Sequence, residues 1–540
     1  MTVFTTHALN ILHCNRHGSA IMVHFVLELH GIIKIKPRVT TGHMSDNREL
    51  PDANLSTETD SLLEMQRRPL LKRMCTSWRT VLILAALTAI GTFLRLYHLD
   101  YNSIWLDEGA TYEISRHTLS HIWKVVADGE FNPPLFFWLE HFMLIPGNNE
   151  ISLRLLPALI GTCTIPLVYL IGKEILDDNT GLASAAFITF SPFHILYSQD
   201  GRAYTTVLFF FTLALYFFLR ALKSRSLRHW AAFGLFSALS FYTHFYIAIP
   251  LIIIVLYGLI TESLSVKKTA DSIRNLLTGV FLSLVISLPL IIITVPLIIR
   301  RTAAPPPYGI QGLPIVTTTL NQMLNESSWL TGFLLLLSLW GVFNLWRKER
   351  KSAALLLICI AVPLTVSIPL SLRMPLHPRC LIFLITFFAL ALSCAFAPLF
   401  TWKKWTLYIV IVLLCILNAF TLINYYSHYS TEDWRGATRY FSEISHQDDA
   451  IVFVPDYMCL PFNFYYRGSA AHFHTLKGYR ESDFNDLVFS LTEERIFFIV
   501  TSDIFSMDPH GEAVQWMKSN AVYAGERRGI HVFVYDRNSR

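Results

Sequence analysis

Charge is scarce in this sequence: Asp, Glu, Lys and Arg make up 15% of 540 residues, against 53% hydrophobic residues. Soluble domains run nearer a quarter charged, so a string of three or four such domains is excluded. Mean hydropathy is +0.43, and a single span of ~20 residues would barely move an average over this length, so many spans are required. The eight cysteines form no CxxC pair and no His/Cys cluster, and the sequence therefore predicts neither a metal site nor a disulfide framework. Most of them lie in apolar runs, where a free thiol acts as a small hydrophobe. A balance of 44 basic against 39 acidic residues, a net +5, is too small for a nucleic-acid partner. Internal repeats and low-complexity blocks are lacking too. The polar first segment has no compact apolar stretch followed by a small-residue cleavage site, so it does not read as a signal peptide. Its weakly apolar patch at Ile21 to Ile35 is interrupted by His24, Glu28, His30 and Lys34, and Met44, Met65 and Met74 offer alternative starts. Residues 1–78 read as a polar cytosolic tail.

What the sequence has in abundance is apolar runs of membrane-crossing length. The first, Thr80 to Leu96, follows Arg67, Arg68, Lys72 and Arg73, the basic flank of a cytoplasmic side. Further runs at 152–176, 180–197, 203–222, 229–244, 246–262, 275–299, 328–346, 353–371, 381–400 and 405–424 bring the expectation to about eleven spans. Alternate loops should then collect positive charge. Lys223, Arg225 and Arg228 fall in one of them, Lys267, Lys268 and Arg274 in the next, Arg347, Lys348, Arg350 and Lys351 in a third, and Lys403 with Lys404 in the last. An odd count places the C-terminus outside. After Tyr425 the composition becomes globular, with strand-like runs at 450–454, 495–500 and 530–535 alternating with helix-like segments near 433–445, 482–491 and 511–519. The predicted fold is an α-helical polytopic membrane protein: a membrane domain over 79–425 with a long first outer loop at 98–150, and a small extracytoplasmic α/β domain over 426–540.

The polar groups that could carry chemistry sit at the outer ends of spans. Asp107 and Glu108 lie just beyond the first span beside Trp105. A half-desolvated carboxylate there can accept a proton from an attacking alcohol; equally, the pair can cap the amphipathic segment from Tyr112 to Val126. In Phe131-Asn132-Pro133-Pro134-Leu135-Phe136-Phe137-Trp138, two prolines precede an aromatic stretch of interfacial length. The turn after the third span supplies Tyr197, Gln199, Asp200, Arg202 and Tyr204, donors and acceptors suited to sugar hydroxyls or a phosphate, although Asp200 and Arg202 can also simply pair with each other. Arg300 with Arg301, and His377 with Arg379, are cations on the outer side, where a lipid-linked phosphate would account for them; snorkelling to headgroups is the alternative for the arginine pair.

Taken together, the Asp-Glu pair, the Pro-Pro-Leu aromatic segment, Arg154-Leu155-Leu156-Pro157 and the Tyr-Ser-Gln…Arg-x-Tyr turn resemble the polyprenyl-phosphate-sugar-dependent glycosyltransferases of the GT-C superfamily. Within it, the chain is similar to the protein-mannosyltransferase and aminoarabinose-transferase group, in architecture over residues 80 to 425 and in motifs between 101 and 204. Glu432-Asp433-Trp434-Arg435-Gly436 also looks like a recurring feature of that group. The resemblance implies Asp107 as general base with Glu108 shaping the site, and Asp200 in the place of a second acid. It implies an inverting single displacement from a polyprenyl (dolichyl- or undecaprenyl-type) monophosphate sugar to a hydroxyl of a glycan, lipid or protein, with no divalent metal or other cofactor. A transporter or flippase for lipid-linked sugars is the rival reading, but transporters place polar sites near the bilayer midplane, in repeat-related halves. A receptor or scaffold would not need so many spans.

Overall fold

The computed structural model describes residues 77–539 apart from 131, 265–269, 307, 404, 447, 468–471, 477, 502–503 and 509. The N-terminal tail with its basic flank, together with Phe131, Lys267, Lys268, Pro307 and Lys404, lies outside the described residues. Among the described residues, nine helices are long and apolar enough to cross a membrane. Two of the expected spans are not among them. The run at 180–197 is broken at Ser191-Pro192 into helices of 13 and 7 residues, Asp178–Phe190 and Pro192–Ser198, because proline removes an N–H and clashes with the preceding turn. The run at 229–244 yields the 15-residue helix Leu227–Phe241. At 1.5 Å per residue the three helices rise about 20, 10 and 23 Å, so each by itself is shorter than the other spans. Glu150–Ile175, Tyr204–Ser224 and Leu384–Trp402 form the buried centre of the bundle, while Asp271–Arg301 exposes most of its apolar surface at the periphery.

Between the first span, Trp78–Leu96, and Glu150–Ile175, the long loop folds into three short helices: Leu106–Ser115, Leu119–Asp128 and Pro134–Met143. Pro134 opens the last of these, a position where its missing N–H is harmless. Ile122, Val126, Phe136 and Phe137 bury together against Leu290, which anchors the loop on the bundle.

From Trp434 onward the chain builds a five-stranded mixed sheet of order β2-β1-β3-β5-β4: β1 Ala450–Val454, β2 His472–His474, β3 Arg495–Thr501, β4 Val522–Arg527 and β5 Ile530–Asp536. β1 runs parallel to β2 and β3, and β5 antiparallel to β3 and β4. Successive residues of β1 alternate faces: Ala450, Val452 and Val454 pack with Phe484, Trp516 and Met517, whereas Ile451 and Phe453 pack with Trp434, Phe441 and Phe462. Helices therefore cover both faces, as the continuous apolar run of β1 requires. Leu106 joins the second of these cores, so the sheet domain and the first loop share packing. The approach is close, since a Cβ on Gly109 would lie 2.8 Å from the Pro461 nitrogen.

Candidate active site

Adjacent in sequence, Asp107 and Glu108 have opposite environments. Both occupy the first turn of Leu106–Ser115, where carboxylates suit the helix dipole. Glu108 points inward and is 1% exposed. Arg154 grips it through Nε to Oε1 and Nη2 to Oε2, each at 2.6 Å, and the N–H groups of Gly201 (2.8 Å) and Trp105 (3.3 Å) donate to it as well. The same guanidinium donates to the carbonyls of Leu99, Asn102 and Ser103, which ties the loop to the start of the second span. Gly201 must be small here: a Cβ would fall 2.9 Å from Leu153 Cγ and 3.2 Å from Glu108 Oε1.

Asp107 turns the other way. Its Oδ2 lies 3.1 Å from Arg379 Nη2 and 3.9 Å from Arg202 Nε, with a quarter of the side chain exposed. Arg202 also donates to the Asp107 carbonyl (2.9 Å) and to Thr111 Oγ1 (3.0 Å). Arg379, carried on the short turn Pro378–Leu381, packs its guanidinium over the rings of Trp105 (5.2 Å) and Tyr204 (5.6 Å). His244 faces the same two arginines, and burial together with their charge pushes its pKa down to about 3, so it is neutral. His377 is likewise lowered, by burial first and then by Arg379.

Asp200 does not pair with the Arg202 guanidinium. Its Oδ1 accepts the Trp105 indole N–H at 3.0 Å, and burial followed by the nearby Glu108 charge raises its pKa to about 7. It lines a cavity of about 460 Å³ together with Trp105, Tyr197, Arg379, Tyr425 and Met458. Asp107 is not in that lining, but Arg379, its ion-pair partner, is, so the two are joined through one guanidinium.

Other expected residues take different places. Gln199 spends its amide on the carbonyls of Arg95 (3.1 Å) and Tyr97 (2.7 Å) and accepts from the Tyr425 hydroxyl (2.8 Å), so it ties the first span to the last. Tyr197 stacks edge-on against Tyr204 at 5.3 Å. Arg300 and Arg301 approach Gly129 of the first loop, with Arg301 Nη2 donating to its carbonyl. Tyr308, absent from the sequence reading, lies in the field of Arg301, Asp107, Glu130 and Arg379. Arg154 was visible only as part of a motif; its signal was an arginine at the mouth of an apolar run.

The expectation of no metal requires correction. His472, His474 and Glu493 in the C-terminal domain bring three ligand atoms within 4.8 Å of one another. Spacing rules for contiguous motifs miss this set, because a strand and a turn 19 residues further on bring it together. At Asp107 the neighbours are guanidinium groups, which repel a divalent cation, so among the described residues the His/His/Glu set is the one whose chemistry fits a metal.

The family described as dolichyl-phosphate-mannose-protein mannosyltransferase matches residues 132–293. A protein of Aquifex aeolicus (strain VF5) that carries no assigned function is 30% identical over 131 residues, covering 23% of this chain and 26% of its own length. The chain thus spans about a quarter of that relative. ArnT from Cupriavidus metallidurans in the apo state superposes with a TM-score of 0.58 at 13% identity, covering 84% of this chain and 97% of its own. Its form bound to undecaprenyl phosphate gives 0.56 at 12% identity, over 85% and 98%. The Archaeoglobus fulgidus oligosaccharyltransferase in complex with zinc and sulfate gives 0.50 at 13% identity, over 82% and 71%, which adds a metal-bound neighbour of the same fold. Over most of its length the chain therefore shares the fold of ArnT and of the archaeal oligosaccharyltransferase.

Proposed function

We propose that this chain transfers a monosaccharide from a polyprenyl monophosphate to an acceptor hydroxyl at the outer membrane face, inverting the anomeric carbon. The carrying observation is the Asp107–Arg379 pair at 3.1 Å, flanked by Arg202. In this reading, residues 79–425 form the catalytic body and 426–540 an extracytoplasmic domain that closes one wall of the cavity through Met458. The donor class is supported by the fold shared with ArnT, which binds undecaprenyl phosphate.

Chemically, the acceptor oxygen attacks the anomeric carbon, its proton passes to Asp107, and the bond from that carbon to the phosphate oxygen breaks with both electrons leaving on the phosphate. Arg379 fixes Oδ2, and in this reading the other oxygen, Oδ1, meets the hydroxyl. The charge gained by the departing phosphate is met by the remaining donors of Arg379 and by Arg202, held in place before the reaction begins. Glu108, fully engaged, positions Asp107 by fixing the first helical turn. Tyr197, Tyr204, His377, Arg300 and Arg301 complete the substrate-facing set, and the sugar and the acceptor are left open.

A second assignment within the same reaction makes Asp200 the base, since it lines the cavity and titrates near neutrality. The test is transfer from a radiolabelled polyprenyl-phosphate sugar by the native chain, Asp107→Asn and Asp200→Asn, with donor binding measured in parallel. Loss of transfer with binding retained in Asp107→Asn alone supports the first assignment. The same loss in Asp200→Asn alone transfers the role, and full activity in both rejects the site.

A further inference from the structure

The C-terminal domain carries a second group of reactive side chains, separate from the cavity. β2 is an edge strand of only three residues, His472, Phe473 and His474, paired on one side with β1. Residues two apart on a strand share a face. Phe473 therefore points one way, stacking on Phe453 at 6.0 Å and meeting Phe462 and Tyr466, while both imidazoles take the other. There they converge on a single oxygen: Glu493 Oε1 lies 3.1 Å from His472 Nδ1 and 3.0 Å from His474 Nε2. The other oxygen, Oε2, is held by the Thr492 N–H at 2.9 Å, so the carboxylate cannot swing away freely. Glu493 is nearly buried, whereas His472 remains two-thirds exposed.

Hydrogen bonds alone would satisfy two neutral imidazoles and one carboxylate, but the spacing has a further consequence. In a tetrahedral zinc site with nitrogen and oxygen ligands at about 2.0–2.2 Å, ligand atoms stand roughly 3.3–3.5 Å apart. The two Oε1-to-nitrogen separations are already close to that. The remaining adjustment is a side-chain rotation of the exposed His472. Two imidazoles and one carboxylate, with no thiolate, suit a first-row divalent cation, and the exposed side leaves a fourth position to water.

The geometry points to a zinc site formed by His472, His474 and Glu493 that clamps the edge strand β2 to the turn preceding β3. Its role is structural. β1 starts at Ala450, which pairs with His472, and runs about 13 Å to Val454 at ~3.3 Å per residue; beyond Val454 the chain reaches Met458 at the cavity. The cluster thus sits at the end of the sheet away from the acids of the transfer site. Closing the segment between His474 and Glu493 across helix Glu481–Ser490 would hold an edge strand that otherwise rests on one short ladder.

The test uses the full-length protein in detergent, with any affinity tag removed, stripped with chelator, exposed to micromolar zinc and passed through gel filtration. Metal content and amide hydrogen exchange are then read, both independent of any transfer activity. The sequence holds 20 histidines, so the control is the double variant His472→Ala/His474→Ala. The native chain is expected to retain roughly one more zinc than the double variant, with Glu493→Gln weakening affinity about tenfold or more. Zinc should slow exchange across 472–474 at least several-fold in the native chain alone. Equal zinc content in the two chains, or exchange in the native strand that ignores zinc, would overturn the assignment. Because the exchange measurement needs only the native chain, the proposal remains testable even where the double variant fails to fold.

Discussion

Arg379 Nη2 stands 3.1 Å from Asp107 Oδ2 while its guanidinium covers the Trp105 ring at 5.2 Å, so one side chain is fixed by an ion pair and an aromatic face at once. Lysine has neither the planar fork nor the same affinity for a ring face. Arg379→Lys is therefore expected to lower kcat about 100-fold with a smaller change in KM, as loss of a preorganised charge stabiliser does. Steady-state transfer kinetics check this. A change confined to KM would mean that Arg379 binds the donor equally in the ground and transition states.

Arg154 and Glu108 form a buried, bidentate pair. Removing one member leaves the other charged and unpaired, at a cost of about 3–5 kcal/mol. Arg154→Met is expected to yield poorly folded protein, and Arg154→Met/Glu108→Gln to recover a large part of the loss. Thermal unfolding in detergent measures both. A single variant as stable as the native chain would contradict the burial described above.

Asp200 titrates at about 7 in the fold, whereas its ordinary value is 3.8. Between these values the folded chain keeps a proton that the unfolded chain has lost, so this group makes stability fall as pH rises from about 4 to 7. Asp200→Asn should flatten that part of the stability profile. Unfolding midpoints collected from pH 4.5 to 8 decide the matter, and parallel slopes in both proteins would count against it.

Glu140, on the helix Pro134–Met143, is fully buried, and neither carboxyl oxygen has a hydrogen-bond partner among the described residues. Burial, then the Glu108 charge, raises its pKa well above the usual carboxylate range. Holding the proton costs stability increasingly as pH climbs past the unfolded value. Glu140→Gln is expected to raise the unfolding midpoint at pH 8 and to leave it nearly unchanged at pH 4.5. A uniform drop at both values would indicate a partner for the carboxylate.

Much of the architecture is legible along the chain because its signals are local. Apolar runs of span length mark the bundle, and the strands expected at 450–454, 495–500 and 530–535 appear as Ala450–Val454, Arg495–Thr501 and Ile530–Asp536. The weaker elements were missed: β2 has three residues and β4 is an exposed edge with a bulge, so neither shows an apolar pattern. Within the run at 180–197 the helix is interrupted unannounced, since hydropathy registers composition and not the break that Pro192 introduces.

Hydropathy and motif spacing sufficed to place Asp107 and Glu108 at the head of the first loop. They could not say which acid would be sealed by Arg154, 46 residues away from Glu108, and which would face Arg379. Nor could they foresee that Gln199 would serve as a tie between two spans, or that His472 and His474 would meet Glu493. The division has a physical cause: helices, strands and spans follow from periodicity within a few turns of chain, whereas burial, ion pairing and ligand sets depend on contacts between segments that only packing brings together.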